Sequence, residues 1–327
     1  MTDRRTFIAG TLATLAVPLT ARAQREGRVA RVGYLVMARN PEVESAFPRG
    51  LAELGYVEGR DVIIEWRSAD GRGDQLAALA RELVELSADV IVAGGPEARI
   101  AAMKATATIP IVVVGGSDPV AEGWAASLAR PGGNVTGLTA TYPELLVKKL
   151  ELLSQLIPGL SRVGVIADPN AVPPSVRATQ TTAMRTAASS LRLDVQVLEV
   201  RGPADFEVAF RQALQGRRQA LNVIETAMVF AHRTDIAELA RKNRIPTIGE
   251  WKASARAGFL ASYGADLSDL LRRAASHLDR ILKGAQPGTL PIERPTKFEL
   301  VINLKTAKVL DLRIPPSLLL RTDEVIQ

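Results

Sequence analysis

From about residue 30 onward, short runs of β-branched and aliphatic residues alternate with longer segments in which apolar residues return every three or four positions. That alternation predicts parallel sheets with helices packed on their faces. In the first half, ARVGYLV (30–36), DVIIEW (61–66), DVIVAGG (89–95) and IPIVVVGG (109–116) read as strands. Between the second and third, DQLAALARELVELS places Leu76, Leu79, Ala80, Leu83 and Leu86 at helical spacing. After NVTGLTATY (134–142) the alternation restarts. RVGVIAD (162–168), DVQVLEV (194–200), ALNVIET (220–226) and IPTIGEW (245–251) read as strands, with helical segments such as DIAELARKN between them.

Two features argue for a pair of similar α/β domains in tandem. RVGYLVMARNP at 31–41 is echoed by RVGVIADPN at 162–170, and the dipeptide Ile-Pro starts a strand at both Ile109 and Ile245. Beyond Trp251 the pattern becomes a strand followed by a long helix, with Leu267, Leu270, Leu271, Ala274, Leu278 and Ile281 on one face. A proline-rich piece from Ala285 closes the chain, and the tail from Lys297 has its own apolar pattern and is expected to pack. A chain of 327 residues with 47% apolar content exceeds one ordinary core and supplies two.

The first residues change where the protein is expected to work. Arg4 and Arg5 precede an uncharged stretch, Phe7 to Thr20, too short to span a bilayer, and Ala21-Arg22-Ala23 fits a small-x-small cleavage site. The segment 1–23 therefore reads as an export signal cleaved near Ala23, and the sequence DRRTF suggests the twin-arginine route. The chain has no cysteine, which excludes a disulfide framework, a thiolate metal site and a lipid-modified cysteine. An exported product would be free in the periplasm. Removing residues 1–23 takes away three basic residues and one acidic one, lowering the formal charge from +6 to +4, too mild to imply nucleic acid. The two histidines, His232 and His277, are far apart and fit helix surfaces better than a metal site. No cofactor is expected, since neither G-x-G-x-x-G nor G-x-x-x-x-G-K-[ST] occurs.

Several long blocks resemble the substrate-binding components of ABC transporters: GLAELGYVEGRDVIIEWRSADG at 50–71, IPIVVVGGSDPV at 109–120, SLARPGGNVTGLT at 127–139, the stretch from Ala261 to Leu319, and TDEVI near the end. The resemblance covers essentially the whole mature chain. It implies the type I periplasmic binding fold, two Rossmann-like α/β domains with parallel sheets joined by three crossovers, with the ligand held in the cleft between them. The implied lobes are 29–138 plus 262–290 and 139–261 plus 291–327. The crossings then fall near Gly137 to Tyr142, near Ala257 to Tyr263 and near Leu290 to Pro295. Members look like receptors for amino acids. MARNPEVESAFPRG after the first strand departs from the longer polar stretch often seen in relatives, which puts the helix start and pocket wall there in doubt.

In open α/β sheets ligands bind beyond the carboxyl ends of the strands, where helix N-termini offer unpaired amides. On that rule Gly95 and Pro96 are either a backbone cradle for a ligand carboxylate or a glycine turn and proline helix start. In GGSDPV, Ser117 and the Gly115 and Gly116 amides are ligand candidates. Asp118, also a site candidate, suits a cap for a helix over PVAEGWAASLA even better. Thr141 lies at the first crossing. In the second half Asp168, Asn170, Glu225, Thr226, Glu250 and Trp251 sit at strand ends, where carboxylates could pair with an ammonium group and Trp251 could stack, as could Tyr34. Arg39 is either a bidentate partner for a carboxylate or a surface arginine.

The leading function is a receptor that closes around a small polar solute, an amino acid or related carboxylate, and delivers it to an ABC permease in the inner membrane, working as a monomer. A periplasmic sensor for a membrane signalling protein is the alternative. An enzyme on the same architecture is disfavoured, since no G-x-S-x-G elbow or strand-end histidine is present.

Overall fold

The structure, a computed structural model, describes residues 28–116, 118–140 and 143–327. The expected export segment and its cleavage site lie outside the described residues.

In chain order the first half comprises β1 (Ala30–Val36), α1 (Pro41–Glu44), α2 (Ala46–Glu53), β2 (Val62–Ser68), α3 (Leu76–Glu85), β3 (Val90–Gly94), α4 (Pro96–Ala105), β4 (Ile111–Val114) and β5 (Val135–Leu138). The remainder comprises α5 (Pro143–Leu156), β6 (Arg162–Ala167), α6 (Pro174–Ser190), β7 (Asp194–Glu199), α7 (Asp205–Gln215), β8 (Ala220–Val223), α8 (Ala227–Ala231), α9 (Arg233–Lys242), β9 (Thr247–Gly249), α10 (Lys252–Ala257) and β10 (Ala261–Ala265). It closes with α11 (Leu267–Leu282), β11 (Phe298–Asn303), α12 (Leu304–Val309), α13 (Pro316–Leu319) and β12 (Glu324–Ile326).

Two sheets result, one in the order β2-β1-β3-β4-β5 and the other β12-β11-β10-β9-β8-β6-β7. Every pairing is parallel except that of β10 with β11, where the tail turns back on the second sheet. The central strands of each sheet are apolar on both faces because both are covered there, as parallel sheets require. On β1, Val32, Tyr34 and Val36 join a core formed with α2 and α11, while Leu35 points into the opposite core under α3 and α4. The second sheet repeats the arrangement: Val163 and Val165 face α5 and α6, and Ile166 faces α7 and α9.

The chain passes between the sheets three times. It leaves the first after β5, returns after β10, and leaves again after Leu290, which still belongs to the first core. These segments are hydrogen-bonded to one another. Glu293 N donates to Gly137 O at 2.9 Å, Thr139 N donates to Glu293 O at 3.0 Å, and Asp266 N donates to Lys297 O at 3.0 Å.

The return crossing lies later than the sequence suggests. Residues 262–265 were expected in the first lobe with the helix that follows, but β10 is held in the second sheet between β9 and β11. The chain crosses at Asp266, whose carboxylate accepts from Asp269 N at 3.0 Å and starts α11. Only then does the apolar stripe of α11 pack on the first core. His277 on that helix is not a surface residue: it is 1% exposed, and its Nε2 lies 3.1 Å from Pro291 O. His232 joins α8 to α9 and pairs with Asp235 at 2.9 Å.

Candidate ligand-binding cleft

A cleft of about 700 Å3 lies between the carboxyl ends of the two sets of strands and takes its walls from both. That is where the strand-to-helix turns of an open α/β sheet place ligand contacts.

The first wall begins at Tyr34, which is 2% exposed. Its ring meets Phe47 edge-on at 5.5 Å and Trp66 at 4.2 Å. Burial, reinforced by Glu44, pushes the Tyr34 hydroxyl far above its ordinary range, so the phenol stays neutral. Arg39 does not reach the cleft. Its guanidinium lies 4.0 Å from the centre of the Trp66 ring and its Nε donates to Glu44 Oε2 at 2.5 Å, while Glu44 itself lines the space. Arg39 braces the aromatic wall from behind, and no sequence signal distinguished it from Glu44.

Gly95 and Pro96 both line the cleft, with Gly95 at φ +89° starting α4 and Pro96 in its first turn. Such a left-handed backbone favours glycine. The amides expected to meet a ligand here are partly committed: Gly95 N donates to Val114 O and Gly115 N to Leu138 O, each at 2.9 Å. Ser117 and Thr141 lie outside the described residues. Asp118 is absent from the lining, and its Oδ1 accepts from Val120 N at 2.9 Å and Ala121 N at 3.1 Å. The helix expected after it is a series of turns through residue 123, where Gly123 at φ +79° breaks the helical path. Asp118 therefore caps a turn.

On the second wall Asp168 follows β6, lines the cleft, and accepts from Asn170 N at 2.8 Å. Asn170 is exposed and outside the lining; its backbone only shapes the Asp168 turn. Glu225 and Glu250 line the cleft but are heavily engaged beneath it. Glu225 accepts from Trp251 N at 2.9 Å, from Glu250 N and from the Ser254 hydroxyl, so it caps the start of α10. Burial raises the Glu225 carboxyl to about 7, against the Ser254 hydrogen bond and with help from the nearby Glu250. Glu250 Oε1 accepts from Lys149 Nζ at 3.1 Å. Thr226 Oγ1 accepts from Val229 N at 3.3 Å and caps α8. Trp251 is carried by the second sheet yet packs against the first core, bridging the cleft.

Other residues of the lining escaped the sequence reading. Glu122 accepts from Arg99 at 2.5 Å and from the Trp124 indole at 3.2 Å, with the Arg99 guanidinium 5.0 Å from that ring's centre. Arg177 and Arg185 of α6 also line the cleft. Partners 23 residues apart, and a helix whose inner face is polar, leave no periodic trace.

The charges on the lining are mixed, with Asp168 and several glutamates beside Arg177 and Arg185, and Glu97 lies outside it. Glu97, at the start of α4, has a buried Oε2 without a hydrogen-bond partner. Burial raises its carboxyl, and the charge of Asp168 from the opposite sheet adds to the rise. Among the described residues no group of three or more metal-ligating side chains is assembled, and no helix is long and apolar enough to cross a membrane.

Comparison with known proteins points one way. Residues 40–326 match the family model described as ABC transporter substrate binding protein. The tyrosine-binding protein of Clostridioides difficile is 27% identical over 285 residues, covering 86% of this chain and 81% of that protein. A Streptococcus pneumoniae ABC domain solved in complex with L-Trp has the same fold, with a TM-score of 0.83 at 24% identity over 91% of this chain and 100% of that one. A conserved domain protein from Vibrio cholerae aligns with the same TM-score, identity and coverage.

Proposed function

Because the chain belongs to the ABC transporter substrate-binding protein family, we propose that it is the extracytoplasmic receptor of an importer and closes around an amino acid or a closely related carboxylate. The observation that carries the ligand class is a cleft walled by both sheets whose lining brings the Asp168 carboxylate, at a strand end of the second sheet, together with the aromatic residues Tyr34 and Trp251. A carboxylate at the end of a strand can pair with an ammonium group. The aromatic faces then take the apolar side chain. The tyrosine- and tryptophan-binding relatives support the same class.

The mechanism is closure without chemistry. A solute touching both walls makes its full set of contacts only when they are together, so its binding shifts the population toward the closed form. An ABC permease is the partner that reads this form. The arginine pair and apolar stretch at the start of the chain support export across the inner membrane.

Thermal unfolding of ligand-stripped protein against the amino acids and small aromatic acids tests the reading. A true ligand at 100 times its dissociation constant adds about 2.7 kcal/mol of stability. No shift with any member of either set would overturn the ligand class.

A further inference from the structure

The cleft does not end at Trp251. It continues into the second lobe, between α6 and the upper part of β6 and β7. Val165 and Val197 are register partners on the same face of that sheet, yet Val165 is 1% exposed and Val197 43%. β7 is the edge strand of its sheet and is only partly covered. Here α6 covers the sheet at its C-terminal half, where Ala187 and Ala188 join the core with Val195, and stands off at its N-terminal half. Ala178 and Thr181 of that first half, with Met184 and Arg185 beyond it, line the cavity, and Val197 remains 43% exposed. The outcome is a groove lined by the apolar Leu146, Val165 and Val197 together with Thr181 and Arg185 of α6.

We propose that this groove is a specificity subsite for an extended arm of the solute. The arm is apolar where it lies on Val165 and Val197, is longer than a single ring, and ends in a hydrogen-bond acceptor or anion near Arg185. Three observations converge. The groove is continuous with the cleft in a single cavity of about 700 Å3, in the upper part of the roughly 300–1,000 Å3 that holds drug-sized ligands. A half-exposed valine of the edge strand that lines the cavity is apolar surface that burial against a ligand would stabilise. No carboxylate pairs with Arg185 among the described residues, leaving its five donors for an acceptor on the solute. The proposal rests on the reading that an amino-acid or carboxylate head is held between the two sheets.

The test compares L-tyrosine with L-thyronine, which carries a second ring on the same head, by calorimetric titration. The wild-type chain should bind thyronine at least about tenfold more tightly, the gain expected from burying the added ring. Val197→Trp, which fills the groove from the strand side, should abolish that preference and leave tyrosine affinity within about twofold. Thr181→Trp fills the same space from the helix side and guards against a fold defect peculiar to one variant. Thyronine failing to bind where tyrosine binds would overturn the subsite, and so would equal losses for both ligands in both variants. If neither amino acid binds, the amino-acid reading fails on its own. Benzoate and 4-phenoxybenzoate then repeat the comparison on a carboxylate head, and an extended probe that Val197→Trp does not weaken would overturn the groove.

Discussion

Lys149 Nζ lies 3.1 Å from Glu250 Oε1, with the two side chains 1% and 4% exposed. The lysine comes from α5 and also donates to Val223 O at 3.1 Å, so it ties the floor of the cleft to the ends of two strands. Removing one partner of such a pair strands a buried charge. Lys149→Met is therefore expected to cost about 3–5 kcal/mol in denaturant unfolding, and Lys149→Met combined with Glu250→Gln to recover much of it. Equal losses in the single and double variants would show that the pair contributes nothing as a pair.

Glu225 gives the stability a pH dependence of defined sign. Its carboxyl is raised to about 7 in the folded chain, mainly by burial, and returns to its ordinary range on unfolding. Between these values the folded state holds the proton and the unfolded state does not. The group's contribution is therefore fully present below the unfolded pKa and is lost as pH rises toward 7, by an amount of order 1–3 kcal/mol. Glu225→Gln mimics the protonated form. Its stability relative to wild type should improve from pH 4.5 to 7.5, and parallel pH profiles for the two proteins would count against the assignment.

Two glycines with left-handed backbone should respond very differently to a methyl group. A Cβ on Gly137 would lie 2.0 Å from Val113 O, inside the β4–β5 pairing, whereas one on Gly95 meets nothing nearer than Glu97 Oε2 at 3.7 Å. Gly137→Ala should cost more than about 4 kcal/mol, enough to lower soluble yield. Gly95→Ala should cost about 1–3 kcal/mol, because its φ of +89° with ψ of 170° is a backbone region open essentially to glycine alone. Chemical denaturation of both variants separates the two mechanisms.

Trp251 should report closure and carry affinity. It is half-buried and packs across the cleft, whereas Trp66 stacks under Arg39 and Trp124 lies beside Arg99. In a Trp66→Phe, Trp124→Phe background, ligand addition is expected to shift the remaining emission. Trp251→Ala should weaken binding by about tenfold or more, the loss of roughly 1.4 kcal/mol or more of aromatic contact, with only a modest change in the unliganded midpoint. An unchanged dissociation constant would place Trp251 in the fold alone.

The strands before residue 251 were legible wherever they were apolar on both faces, because parallel sheets covered twice leave continuous β-branched runs. β5 was not, since Val135–Leu138 includes Thr136 and Gly137 and is only four residues long. The boundary at β10 was misread because a strand and the helix after it look like one unit, and only pairing with β9 and β11 assigns the strand to the other sheet. At the site, strand ends located Tyr34, Gly95, Pro96, Asp168, Glu225, Thr226, Glu250 and Trp251 on the cleft. The sequence could not say which lone pairs were already taken: Glu225 caps a helix start, Glu250 holds a lysine, and Arg39 turns to Glu44. The first two are long-range partnerships that no local pattern encodes, and the third spans five residues, a spacing that by itself marks no pairing.

The hydrogen bonds among the three crossing segments set how the two halves can move. Because Glu293 is bonded to both Gly137 and Thr139, and Asp266 to Lys297, the segments behave as one laminated spring instead of three separate tethers. A laminate of this kind bends and twists but resists sliding between its layers. For the closure proposed above, such a laminate would reduce opening to nearly a single mechanical coordinate, so that the edge of the molecule remote from the solute would register the same angle as the cleft.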